Sequence, residues 1–138
     1  MATTARHKYT NLQLESYFER ISLPPKYRDL SRKVGEDTPR DLEFLTALQK
    51  HQLAAVPFEN LSIHYSLNHT IHLDPDFLYR KIVERRRGGY CMENNCFFGT
   101  VLGSLGFRVY SAGARVSKEV DGSHDDKGFL GWYATQPM

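Results

Sequence analysis

Residues 87–95 read Arg-Gly-Gly-Tyr-Cys-Met-Glu-Asn-Asn, which sets Cys91, one of only two cysteines, behind a cationic glycine turn and ahead of a helix-spaced apolar run. A thiol in the first turn of a helix meets unpaired backbone N–H groups and the positive end of the helix dipole. Together with Arg87 nearby, these favour the thiolate, so the arrangement suits a nucleophile. Gly88 and Gly89 let the backbone turn tightly and let a substrate or cofactor approach with no Cβ in the way. The plainer alternative makes Cys91 a small buried hydrophobe at a helix start. Cys96, more than a turn further on in an apolar stretch, reads as an inert buried thiol.

The elements that must hold this turn are largely helical. Thr10 and Gln13 read as a capping box, after which Leu14, Tyr17, Phe18 and Ile21 recur at helical spacing until Pro24-Pro25 stops the helix. Thr38-Pro39 supplies an N-cap and a first-turn proline for a second helix, with Leu42, Leu45 and Leu48 as its apolar stripe running to about Leu53, and Pro57 forbids its continuation. Asp74-Pro75 repeats the signal before Phe77, Leu78 and Ile82. The arginines 85 to 87 sit where cations complement a helix C-terminus, and Gly88-Gly89 ends this third helix. From Met92 to Leu105 the spacing of Phe97, Phe98, Val101, Leu102 and Leu105 predicts a fourth helix, with Gly106 as its C′ residue. Phe107, Val109 and Val116 then suggest strands, followed by the turn-like DGSHDDKG. The expected organisation is α+β: a helical portion over 1–105 that carries the cysteine at the start of its last helix, and the beginning of a β portion over 106–138.

Composition narrows the classes. The 138 residues fit one ordinary domain, and 41% hydrophobic with 12% aromatic content is ample for a packed core. Eighteen Lys and Arg against sixteen Asp and Glu are interspersed along the chain, so no basic face for nucleic acid is indicated. No apolar run approaches the roughly 20 residues that span a bilayer, and the N-terminus lacks an apolar signal region, which points to a cytosolic chain and no membrane. A reducing compartment leaves both cysteines as thiols. A metal site from Cys91, Cys96 and His64, His69 or His72 lacks a recognised ligand spacing, so no metal is expected.

RGGYCMEN together with YFERI at Tyr17–Ile21, VPFENL at Val56–Leu61 and LGFRVYSAGARV at Leu105–Val116 resembles the arylamine N-acetyltransferases, in that family's order. The resemblance implies a helical bundle followed by the start of a β-barrel, with a cysteine-protease-like arrangement of the nucleophile at a helix N-terminus. It implies that Cys91 takes an acyl group from acetyl-CoA, or another acyl-CoA, and passes it to the nitrogen of an arylamine or hydrazine. Position by position, Arg87, Gly88 and Gly89 match the element before the nucleophile, Glu93 the acidic residue after it, and Phe58 and Glu59 the segment that lines the family's active site. Physically, Glu59 or Glu93 can neutralise Arg87 by bidentate pairing, and an Arg87–Glu59 pair is the favoured expectation. The plain alternatives are surface charge for the two glutamates and a core position for Phe58.

A thiolate in such an enzyme needs an imidazole to relay protons and a carboxylate to orient it. The family's histidine and aspartate lie beyond the ARV stretch. His124, the only histidine after Cys91, sits in DGSHDDKG, which reads as an exposed loop ill suited to catalytic geometry. The expectation is therefore a truncated chain that retains the nucleophile without its base, with a non-catalytic binding or scaffold fragment derived from that enzyme as the alternative.

Overall fold

The computed structural model describes residues 6–113, and these form a helical assembly: α1 (Asn11–Arg20), α2 (Pro25–Arg28), a 3-10 turn (Asp29–Lys33), α3 (Thr38–Ala55), α4 (Leu61–Tyr65), α5 (Pro75–Tyr79) and α6 (Cys91–Ser104). The expected capping box opens α1: Thr10 Oγ1 accepts from Gln13 N at 3.3 Å, and Gln13 Oε1 accepts from Thr10 N at 2.9 Å. Leu14, Tyr17, Phe18 and Ile21 are all buried, so the stripe read from spacing is the face this helix buries. Tyr17 and Phe18 sit on Phe97 of α6 and Phe44 of α3, and removal of such rings from water contributes about 1.5–3 kcal/mol each.

The second helix departs from expectation in two respects. It begins after Asp37, which makes no side-chain cap bond, so Thr38 is the first helical residue rather than the cap. Its buried face is Phe44, Ala47, Leu48 and Gln52, whereas Leu42 and Leu53 are exposed. With apolar residues on several sides of α3, the partner decides which side is buried. Phe18 selects Phe44, and Tyr17 Oη donates to Gln52 Oε1 at 3.0 Å, which satisfies a glutamine inside the core.

Asp74 caps α5 as expected, its Oδ1 accepting from Phe77 N at 2.8 Å. Beyond Tyr79 the helix widens into a π-helical stretch, Arg80–Glu84, closed by Arg85 N donating to Arg80 O at 2.9 Å. The reversal at its end falls on Arg86 (φ +53°), not on Gly88-Gly89. A left-handed arginine is unfavourable unless its surroundings over-determine it. Here Arg20 from α1 does so: its Nε donates to Ile82 O at 2.9 Å and its Nη2 to Arg86 O at 3.3 Å. The YFERI stretch thus supplies two core aromatics and the side chain that holds the segment leading into the cysteine.

The last helix runs as the spacing predicts, with Phe97, Phe98, Val101, Leu102 and Leu105 buried and Gly106 in the left-handed conformation (φ +102°) just past its end. After Gly106 the expected strand is not found among the described residues. Phe107 and Val109 instead pack against the helical core, Phe107 stacking on Phe44 with centroids 6.2 Å apart. A strand exists only where a neighbouring backbone pairs with it, and among the described residues the single β-type pairing is the isolated parallel bridge between Phe58 and Gly89. Val116 and the DGSHDDKG stretch lie outside the described residues.

Candidate active site

Two loops meet to build the cysteine's surroundings. Gly89 N donates to Pro57 O at 3.2 Å and Glu59 N to Gly89 O at 2.9 Å, a two-bond clasp between residues 57–59 and the glycine turn. Asn94, one turn into α6, reinforces it by donating through Nδ2 to Gly89 O at 3.1 Å and to Pro57 O at 3.3 Å. The approach is so close that a Cβ on residue 88 would stand 2.0 Å from Pro57 O, and one on residue 89 would stand 2.8 Å from Asn94 Oδ1. The glycines therefore admit the protein's own backbone and side chains.

Cys91 is the first residue of α6, a free, half-buried thiol, and Tyr90 is the N-cap. Glu93, in the third helical position, returns its Oε2 to Tyr90 N at 2.9 Å, which satisfies one of the orphan donors at the helix start. Glu93 is only 1% exposed. Its charge is met by Lys81, whose Nζ lies 2.8 Å from Glu93 Oε2, 2.9 Å from Ser62 Oγ and 3.6 Å from Glu59 Oε1. The Arg87–Glu59 pair is present, but as a single contact of 3.7 Å between Nη2 and Oε1 rather than a bidentate fork. Surface charge is thus the wrong description of Glu93, and the cation that neutralises it is one the sequence reading did not single out.

Phe58 is 58% exposed, which rules out a core position. With Leu53, Val56, Phe98, Asn94 and Asn95 it borders a cleft of about 50 Å³. Cys91, Asn94, Asn95 and Phe98 fall at i, i+3, i+4 and i+7, so the cleft and the thiol share one side of α6. Room for a few water molecules, well short of a ligand-sized cavity, makes this one wall of a site rather than an enclosing pocket. A larger cleft of about 570 Å³ borders Cys96 and Thr100 on another side of the helix, away from the glycine turn. Cys96 Sγ donates to Leu73 O at 3.5 Å, and burial, with Asp74 adding to it, pushes this thiol up. Iodoacetamide labelling followed by peptide mapping should therefore modify Cys91 first at neutral pH, with Cys96 needing solution more alkaline than a free thiol's midpoint of about 8.5. Equal rates at both cysteines across pH would refute the distinction.

A family model described as N-acetyltransferase matches residues 41–127, a segment holding both clasped loops and the cysteine. The chain belongs to the arylamine N-acetyltransferase family. Among the similar proteins, an N-malonyltransferase, FDB2, of Gibberella moniliformis is 45% identical over 121 residues, covering 83% of this chain and 35% of that protein. The pineal gland arylamine N-acetyltransferase isozyme NAT-3 of Gallus gallus is 44% identical over 105 residues, covering 76% of this chain and 32% of that protein. The solved arylamine N-acetyltransferase from M. tuberculosis superposes with a TM-score of 0.61 at 34% identity, covering 80% of this chain and 37% of that one. That from Salmonella typhimurium gives 0.60 at 35%, covering 80% and 35%. The chain thus spans about a third of the length of these relatives. Their likeness extends to the helical arrangement described above, and no helix among the described residues is long and apolar enough to cross a membrane.

Proposed function

We propose that Cys91 is the nucleophile of an acyl transfer from a coenzyme A thioester to the nitrogen of an arylamine or hydrazine. In the first half-reaction the thiolate sulfur attacks the thioester carbonyl, the carbon–sulfur bond to coenzyme A breaks, and the departing thiolate takes up a proton. In the second, the amine nitrogen attacks the acyl-cysteine, gives up a proton to a base, and releases Cys91. The observation that carries this reading is a free, half-buried thiol at the first residue of α6, on a turn that two backbone bonds and Asn94 fix in place. Arg87 and Glu59 hold the loop beside it, Glu93 caps its helix, and Phe58 offers an aromatic wall on the thiol's side. Division at about residue 105, with a β portion following in a cytoplasmic enzyme, belongs to the same reading.

Acetyl is the acyl group proposed first. Malonyl is the second reading, favoured by the 45% identity to a protein named for N-malonyl transfer. The base is the group this reading leaves outside the described residues, His124 included. On the expectation that His124 is not that base, a 138-residue polypeptide given acetyl-CoA or malonyl-CoA in separate arms, with an arylamine present, should take up acyl groups yet N-acylate the amine at several orders of magnitude below the usual scale of about 1 per second or faster. Turnover on that ordinary scale would assign His124 or a neighbour as the base. Absence of any acyl uptake from either donor would leave the chain as a scaffold.

A further inference from the structure

Lysine is almost never fully buried without partners, and Lys81 is 2% exposed. Its side chain reaches three residues from two segments: Glu59 and Ser62, on either side of the start of α4, and Glu93 in the first turn of α6. Its own carbonyl accepts from Arg87 N at 3.0 Å, so the residue also fixes the entry to the glycine turn. Glu93 brings a carboxylate inside the protein two residues after Cys91, at the helix end whose dipole would otherwise favour a thiolate. One of its oxygens, Oε2, takes both Lys81 Nζ and Tyr90 N, while Oε1 has no hydrogen-bond partner among the described residues. Lys81 is thus the cation in hydrogen-bond contact with that carboxylate, since Arg87 turns to Glu59 instead.

We propose that Lys81 is a positioning residue for the nucleophile, whose ammonium cancels the Glu93 charge so that the helix can keep an acidic cap without opposing a thiolate at Cys91. This rests on the reading of Cys91 as the nucleophile. A neutral side chain of similar length at residue 81 leaves an uncompensated buried carboxylate in the first turn of α6, two residues after Cys91. Loss of both charges removes the conflict, because the carboxamide of a glutamine can still accept from Tyr90 N.

The test is the iodoacetamide rate at Cys91 relative to Cys96 at pH 7 in the whole chain, for Lys81→Met and for Lys81→Met combined with Glu93→Gln, with circular dichroism to confirm the fold. Lys81→Met should slow Cys91 about tenfold relative to Cys96, and the double variant should recover to within about twofold of the unsubstituted chain. An unchanged Cys91 rate in folded Lys81→Met, or an equal slowing in both variants, would overturn the proposal. If Lys81→Met alone does not fold, the double variant decides: recovery to within about twofold supports charge compensation, and a tenfold loss contradicts it. Failure of the nucleophile reading would show separately, as no preference for Cys91 in the unsubstituted chain.

Discussion

Gly88→Ala should lose about 3 kcal/mol or more of stability, a large part of the roughly 5–15 kcal/mol that holds an ordinary domain, and should scatter the surroundings of Cys91. The new methyl would lie 2.0 Å from Pro57 O and 2.9 Å from Pro57 C, and both neighbours are backbone that no rotamer change can move. Relief requires residues 57–59 to leave the glycine turn. That breaks the Gly89–Pro57 and Glu59–Gly89 hydrogen bonds and strands the Asn94 amide, whose acceptors are those same carbonyls. Urea denaturation gives the size of the effect, and Gly103→Ala is the control. That position in α6 has nothing within 4 Å of an added Cβ, so alanine there should stabilise the helix by about 0.5–1 kcal/mol. A Gly88→Ala protein within about 0.5 kcal/mol of the unsubstituted chain would mean that the close approach to Pro57 is not required.

Local signals made α1 and α6 legible, because capping residues and apolar spacing act within a few residues of chain. Thr10 and Gln13 need only each other, and the buried face of α6 follows from Phe97, Val101 and Leu105 recurring at helical intervals. The buried side of α3 was not legible in the same way. Leu42, Leu45 and Leu48 and the set of Phe44, Ala47 and Leu48 both make helical stripes, and only the position of Phe18 chooses between them. Strand formation after Gly106 depends on a partner that residue spacing cannot supply.

At the site, the cysteine, the glycines and Glu59 stood out by residue type and order, but the physical reason for the glycines did not. Nothing local says that Pro57 O will pass within hydrogen-bonding distance of Gly89 N. Lys81 was hidden for a related cause. Among Arg80, Lys81, Arg85, Arg86 and Arg87 it reads as one more solvated cation, and its burial follows only from Glu59, Ser62 and Glu93 converging from distant positions. Arg20 belongs in the same class, since its two backbone acceptors, Ile82 and Arg86, are more than sixty residues away in sequence.

The second large effect concerns the thiol itself. Cys91→Ser should abolish acyl uptake while leaving the fold intact, because the side chain is half-buried at a helix start where serine is well tolerated, and an alcohol is a far weaker nucleophile near neutral pH than a thiol. Cys96→Ser should leave acyl uptake in place, since that sulfur faces Leu73 O and borders a different side of α6. The most direct measurement is intact-mass analysis of the chain after exposure to acetyl-CoA or malonyl-CoA, followed by peptide mapping of the adduct. One acyl group on Cys91, lost in Cys91→Ser and retained in Cys96→Ser, is the predicted result; an adduct that survives Cys91→Ser or maps to Cys96 would contradict the assignment of Cys91 as the acyl acceptor.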